Sequence, residues 1–346
     1  MSTSVTLRWY TKKLKLAHAF GISRSTRTHV ENVFVEISCD GITGIGEASP
    51  NTRYNETPET AVAFLEKIEI PEDLNPADIS SWINLLEQAG EGEYAAKVAA
   101  EMALWDWIGK KIDIPLYQLW NLNTDNSLNS SFTIGLDSID VIKEKVREAD
   151  DDGATILKVK LGSDHDKEII EAIRLVSDTE IWVDANEGWK TLDQARDMVQ
   201  FLGDKNVTMI EQPMPASEFE LMKLLKPLSQ IPLIADESFT GKQSLAELVE
   251  GFHGINIKLM KVGSLRKAHQ IIDDAKSVGL KIMIGCMIET AIANTAGALL
   301  SLRADFADLD GWKLLSDRPF DGMKFGEGNR IVLNDLPGLG VTADTQ

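Results

Sequence analysis

Seven polar residues have the types and the spacing to do chemistry in this sequence: Lys160, Asp184, Glu211, Asp236, Lys258, Cys286 and Asp308, each 22 to 28 residues from the next. That interval is about one strand, one helix and their connecting turns. Each residue lies at the end of a short apolar run, in ILKVKL, IWVDAN, TMIEQP, LIADES, INIKLM, KIMIGC and FADLDG. If these runs are parallel strands of a closed barrel, the polar ends ring one mouth, where barrels place their reactive groups. A surface charge has no reason to recur at the end of every strand.

Asp184, Glu211 and Asp236 offer hard oxygen ligands from three consecutive strands. Such a set suits Mg²⁺, which takes a few carboxylates and keeps positions for other oxygens. No His or Cys accompanies the three acids, which disfavours zinc. Taken one at a time they would also serve as helix N-caps, a reading that weakens for all three together. Lys158 and Lys160 alternate with Leu157, Val159 and Leu161, so both lysines share the interior face of their strand. Lys258 stands across the ring. One lysine can remove a proton from the carbon beside a metal-bound carboxylate, through an enediolate, while the other returns a proton from the opposite face. Schiff-base chemistry is also open to a buried lysine, but it leaves the three intervening acids without a purpose. The five histidines show no metal-ligand spacing.

The elements that must position these residues follow from the surrounding pattern. SFTIG and the seven runs above make eight strands separated by amphipathic segments, and no GxGxxG turn supports an open dinucleotide-binding sheet. A barrel needs about 250 residues, and this chain has 346. Strand-like alternation at Val5 to Trp9 and Asn32 to Ser38, then the helical EYAAKVAAEMALWDWIGKKI stopped by Pro115, predict a small α+β domain over residues 1–125. The Asn-rich NLNTDNSLNS, 121–130, reads as a linker, residues 126–321 as the barrel, and 322–346 as a tail returning to the first domain. A net charge of −19 argues against binding nucleic acid or an anionic membrane surface. The 43% hydrophobic and 26% charged shares exclude disorder. Two distant cysteines, Cys39 and Cys286, and no run of about 18 apolar residues point to a cytoplasmic protein.

The motifs KVK, DAN, EQP, ADES and NIKL, in this order, resemble the enolase superfamily, in particular its muconate-lactonizing subgroup with a lysine on each side of the metal. The resemblance extends through AAEMALWDWIGKKIDIPLYQLW. It implies a modified TIM barrel, (β/α)₇β, under an α+β capping domain. FADLDG is similar to the Asp-x-Asp signature of the dipeptide epimerases, which implies a Mg²⁺-dependent isomerase acting on the C-terminal residue of an Ala-Xaa dipeptide. On that resemblance Asp184, Glu211 and Asp236 hold one Mg²⁺, Lys160 serves the R configuration and Lys258 the S, and Asp308 with Asp310 binds the substrate α-ammonium. Thr133, Lys158 and Cys286 would line the substrate pocket, while Arg24, with Tyr54 in the same lid, would face an acidic side chain. o-Succinylbenzoate synthase and muconate cycloisomerase share the two lysines, yet their substrates carry no ammonium for the aspartate pair. A non-catalytic ligand-binding barrel would not need all five central residues. The expected partner is a small dipeptide, with neither nucleic acid nor membrane, and a homo-oligomer is left open.

Overall fold

The computed structural model describes residues 5–22 and 25–343. Three antiparallel strands open the chain in the order β1 (Thr6–Ile22), β2 (Ser25–Cys39) and β3 (Ile42–Ala48). The alanine-rich helix Tyr94–Ile112 lies directly on β3. That approach is possible because β3 carries Gly44 and Gly46: a Cβ there would fall 2.0 Å from Ala103 O and 1.9 Å from Ala99 O. Sheet and helix together form the α+β cap.

Eight parallel strands follow in sequential order: β4 (Phe132–Ile134), β5 (Ile156–Lys160), β6 (Glu180–Asp184), β7 (Val207–Glu211), β8 (Leu233–Ala235), β9 (Gly254–Lys258), β10 (Lys281–Gly285) and β11 (Phe306–Asp308). A parallel bridge between Ser130 and Ala307, with Ser131 N–H donating to Ala307 O at 3.1 Å, brings the first strand back beside the last. Helices fill every connection from β4 to β11, and a 3₁₀ turn, Gly311–Leu314, follows β11. This is the closed eight-strand barrel anticipated from the strand pattern, in the (β/α)₇β form that the resemblance implies.

Period-two alternation divides the strand residues into two cores. Leu157, Val159, Ile181, Val183, Ile210, Ile255, Ile257, Ile282 and Ile284 face outward and join the large core beneath the helices. Trp182, Met209, Ile234 and Met283 form a separate apolar cluster inside the barrel, with Ile156 and Phe306 packed against it. Ile156, Trp182, Met209, Ile234 and Phe306 each precede by two residues, and so share a face with, Lys158, Asp184, Glu211, Asp236 and Asp308. The barrel interior is thus an apolar floor with a charged layer above it.

The Asn-rich stretch is more structured than a free linker. Thr124–Asn126 is a 3₁₀ turn, Ser130 N–H donates to Asn329 O at 2.9 Å, Ser127 Oγ donates to Ile331 O, and Asn129 bridges Arg330. Residues 329–331 thus satisfy several of the polar groups at its end. Further along, Gly338 bridges Pro115 and Leu339 N–H donates to Asp106 Oδ1 at 2.9 Å, on the cap helix. Among the described residues no helix is long and apolar enough to cross a membrane.

Trp182 is the largest side chain of the floor, 3% exposed and edge-on to Phe306 at 5.3 Å. Trp182→Ala should lower unfolding stability by about 3–5 kcal/mol in urea titration. A loss below about 1 kcal/mol would mean that the floor is not a close-packed support.

Candidate active site

Strand register assembles the charged layer. Lys160 pairs with Asp184 and Asp184 with Glu211 at the ends of β5, β6 and β7, Asp236 follows β8 by one residue, and Lys258 ends β9 opposite Gly285. Since β5 and β9 are the second and sixth of eight strands, Lys160 and Lys258 stand half a turn of the barrel apart. The three acids occupy the strands on the arc between them.

Each lysine finds a carboxylate. Lys160 Nζ donates to Asp184 Oδ2 at 2.5 Å, and Lys258 Nζ to Asp236 Oδ2 at 2.9 Å. Lys158 sits lower and donates to Asp308 Oδ2 at 2.6 Å, with Glu211 Oε2 at 2.6 Å and Asp184 Oδ2 at 3.3 Å. A cavity of about 830 Å³ opens above, lined by Thr133, Lys158, Lys160, Asp236, Lys258, Cys286, Asp308 and Asp310, with Tyr54 and Arg53 contributed by the cap. Asp184 and Glu211, fully buried, do not line it themselves. Arg24 lies outside the described residues.

Asp308 and Asp310 do not simply alternate along one strand. β11 ends at Asp308, whose Oδ1 accepts from Ser131 Oγ at 2.7 Å, and Asp310 immediately precedes the 3₁₀ turn that follows, without a side-chain bond to it. Asp310 still borders the cavity because its Oδ2 accepts from Thr133 N–H at 2.7 Å.

Burial opposes every charge here, and the neighbours decide which survive. For Lys158, burial favours the neutral amine, but Asp308, Glu211 and Asp184 outweigh it and hold the ammonium well above its ordinary value. Lys258 is likewise held well above by Asp236 and Glu211 against the same burial. Asp184 and Asp236 stay below the usual carboxylate range because Lys160 and Lys158, and Lys258 and Lys261, more than offset their burial. Glu211 is pushed up to about 7 by burial and by Asp184, and Asp310 to about 6 by burial and by Asp308. Burial raises Cys286 well above an ordinary thiol, so it packs the wall as a neutral group.

The donor chemistry fits a hard divalent cation. The three acids supply only oxygens, and Glu211 Oε2 is buried with no hydrogen bond, held by its ion contact to Lys158 alone. In the present arrangement lysine ammoniums stand against all three carboxylates. Among the described residues no three acid, histidine or cysteine side chains converge on one point.

Several residues that shape the site were not anticipated. Asn256 and Lys261, both buried, contact Glu211 and Asp236 from β9 and the turn after it. Asn256 shares an interior face with Lys258, a signal present in NIKLMK; nothing in that motif marks Lys261 as buried. The cap is fastened to the barrel by Glu47 at the end of β3. Its carboxylate accepts from Asn32 Nδ2 at 2.8 Å, Thr290 N–H at 2.9 Å, Thr290 Oγ1 at 2.6 Å and Ala293 N–H at 3.2 Å. The last three belong to the N-terminus of the helix Ala291–Ser301, where a negative charge is favoured. Arg53, beside Tyr54, reaches from the cap to Glu187, with Nη2 at 3.1 Å from Oε1.

Glu47→Gln turns an amide N–H₂ toward donors and should cost about 1–3 kcal/mol of unfolding stability. Denaturant titration checks it; a cost indistinguishable from zero would mean that Glu47 does not fasten the cap.

With this geometry in view, residues 4–120 match the family model of the mandelate racemase / muconate lactonizing enzyme N-terminal domain, and residues 141–346 that of the enolase C-terminal domain-like family. The chain is 41% identical over 336 residues to the L-Ala-D/L-Glu epimerase of Bacteroides thetaiotaomicron, covering 97% of this chain and 87% of the relative. It is 37% identical over 330 residues to the L-Ala-D/L-amino acid epimerase of Pedosphaera parvula, covering 93% and 94%. Among solved structures it is similar to the dipeptide epimerase from Cytophaga hutchinsonii complexed with Mg and D-Ala-L-Val, with a TM-score of 0.92, 26% identity and coverage of 100% and 97%. The dipeptide epimerase from Enterococcus faecalis, complexed with Mg and L-Leu-L-Tyr, matches with a TM-score of 0.88 at 32% identity, covering 99% and 100%.

Proposed function

The chain belongs to the mandelate racemase / muconate lactonizing enzyme family, and from that premise we infer that it is a Mg²⁺-dependent dipeptide epimerase. It is an isomerase that inverts the α-carbon of the C-terminal residue of an Ala-Xaa dipeptide by moving one proton off and another on. The observation that carries the mechanism is the placement of Lys160 and Lys258 on strands half a turn apart, with Asp184, Glu211 and Asp236 between them. Bound at those three acids, Mg²⁺ supplies the positive charge that acidifies the carbon beside the substrate carboxylate.

The chain's own groups do the rest. Lys160 Nζ and Lys258 Nζ address opposite faces of that carbon, and each must surrender its ion pair before it can accept a proton. The substrate α-ammonium falls to the aspartates at the end of β11. Asp310 is the freer of the two, since Asp308 already holds Ser131 and Lys158 while Asp310 accepts one bond from Thr133. A site for an ammonium favours a dipeptide over the ammonium-free substrates of o-succinylbenzoate synthase or muconate cycloisomerase. Cys39 and Cys286 remain free thiols, in keeping with a cytoplasmic location.

In D₂O with Mg²⁺, the wild type should exchange the C-terminal α-proton of both L-Ala-L-Glu and L-Ala-D-Glu. Lys160→Ala and Lys258→Ala should each lose inversion by about 10²–10⁴-fold while exchange persists with only one epimer, a different one for each variant. Epimerisation that survives in the double variant would sink the assignment.

Protonation of Asp310 below about pH 6 removes a charge that faces the ammonium. The value of kcat/KM, which reports the free enzyme, should therefore fall as pH drops through about 6, and Asp310→Asn should be slow with this acid limb removed. An identical limb in the variant would take Asp310 out of substrate binding.

A further inference from the structure

The three carboxylates of the cation site divide their oxygens in the same way. Asp184 Oδ1 accepts from the backbone N–H of Asn186 at 3.0 Å, Glu211 Oε1 from the Asn256 amide at 2.6 Å, and Asp236 Oδ1 from the Lys261 ammonium at 2.6 Å. The second oxygen of each touches a lysine that lines the cavity: Asp184 Oδ2 meets Lys160, Glu211 Oε2 meets Lys158, and Asp236 Oδ2 meets Lys258. Every acid thus has one oxygen tied to a fixed partner and its second oxygen against a lysine that lines the cavity, and for Glu211 and Asp236 the fixed partner is a side chain outside the cavity.

The two side-chain ties are built to persist. Lys261 has a fully buried side chain and three donors, and all three are used, on Asp236 Oδ1 at 2.6 Å, Asp236 O at 2.7 Å and Asn256 O at 3.2 Å. Asn256 is fully buried, and the position beside it is Gly285, where a Cβ would fall 2.6 Å from its side-chain oxygen. Neither side chain lines the cavity, so neither is placed to contact a dipeptide.

A carboxylate with one oxygen held can offer a cation only the other. Mg²⁺ accepts single oxygens in a tight octahedral shell, whereas Ca²⁺ takes six to eight oxygens and often both from one carboxylate. We propose that Asn256 and Lys261 are positioning residues that hold Glu211 and Asp236 to one oxygen each, and so set the preference of the site for Mg²⁺ over Ca²⁺. This rests on the reading that Asp184, Glu211 and Asp236 hold Mg²⁺.

The test uses the full chain and counts free Mn²⁺ by its EPR signal, with Mg²⁺ and Ca²⁺ as competitors. The wild type should prefer Mg²⁺, and Asn256→Ala and Lys261→Met should each shift the Mg²⁺-to-Ca²⁺ affinity ratio about tenfold or more toward Ca²⁺. A ratio within about twofold of wild type in a folded variant would overturn the proposal while leaving the cation site in place. Thermal melting by circular dichroism reports folding. Should Lys261→Met fail to fold, Asn256→Ala decides alone, because it acts through Glu211. Mn²⁺ binding unchanged in Glu211→Gln would overturn the site reading itself, and the positioning role with it.

Discussion

Five carboxylates and four lysines share the upper layer of the barrel, and none of them could be buried there alone. Asp184, Glu211, Asp236, Asp308, Asp310, Lys158, Lys160, Lys258 and Lys261 are all buried. An isolated ion in such a place costs several kcal/mol, so all but Asp310, which accepts from Thr133 N–H and is pushed toward its neutral form, are held by contact with charges of opposite sign. That mutual dependence governs the rest of the design. It requires parallel strands in tight register to bring the side chains together, and it requires a dry floor that does not rearrange beneath them. Glu211 is pushed up to about 7 chiefly by burial and then by Asp184, and a divalent cation at the three acids would counter both.

The cap contributes position more than chemistry. Gly44 and Gly46 let the strand and helix of the cap approach as one slab, and Glu47, on the same strand, joins that slab to a helix N-terminus of the barrel. Tyr54 and Arg53 are thereby carried to the rim of the cavity. Tyr54 is kept a neutral phenol by burial and by Asp236, so it presents a polar but uncharged group to whatever enters.

Much of this was legible in the sequence for a physical reason. A barrel strand of about five residues forces its last inward side chain to the mouth, so polar residues recurring once per strand and helix announce both the fold and the ring. Lys160, Asp184, Glu211 and Lys258 are found this way because each ends its strand. Asp310 is not found this way, because alternation ends with β11 at Asp308, where Thr133 and the 3₁₀ turn take over. Asn256 shows in the pattern only as an interior neighbour of Lys258, and Lys261 and Glu47 could not be read at all, since their roles depend on partners 25 to 246 residues away. The polar stretch before β4 looked like a linker because its partners lie near the other end of the chain.

The half-turn between β5 and β9 also has a consequence between turnovers. On the proposed mechanism the proton that leaves one face of the substrate and the proton that arrives at the other belong to different lysines. A completed reaction therefore returns the protein with its protonated and neutral amines exchanged. The free enzyme is then two proton isomers, each ready for one hand of substrate, and it recovers its former state only by trading protons with water or by running the reaction backwards.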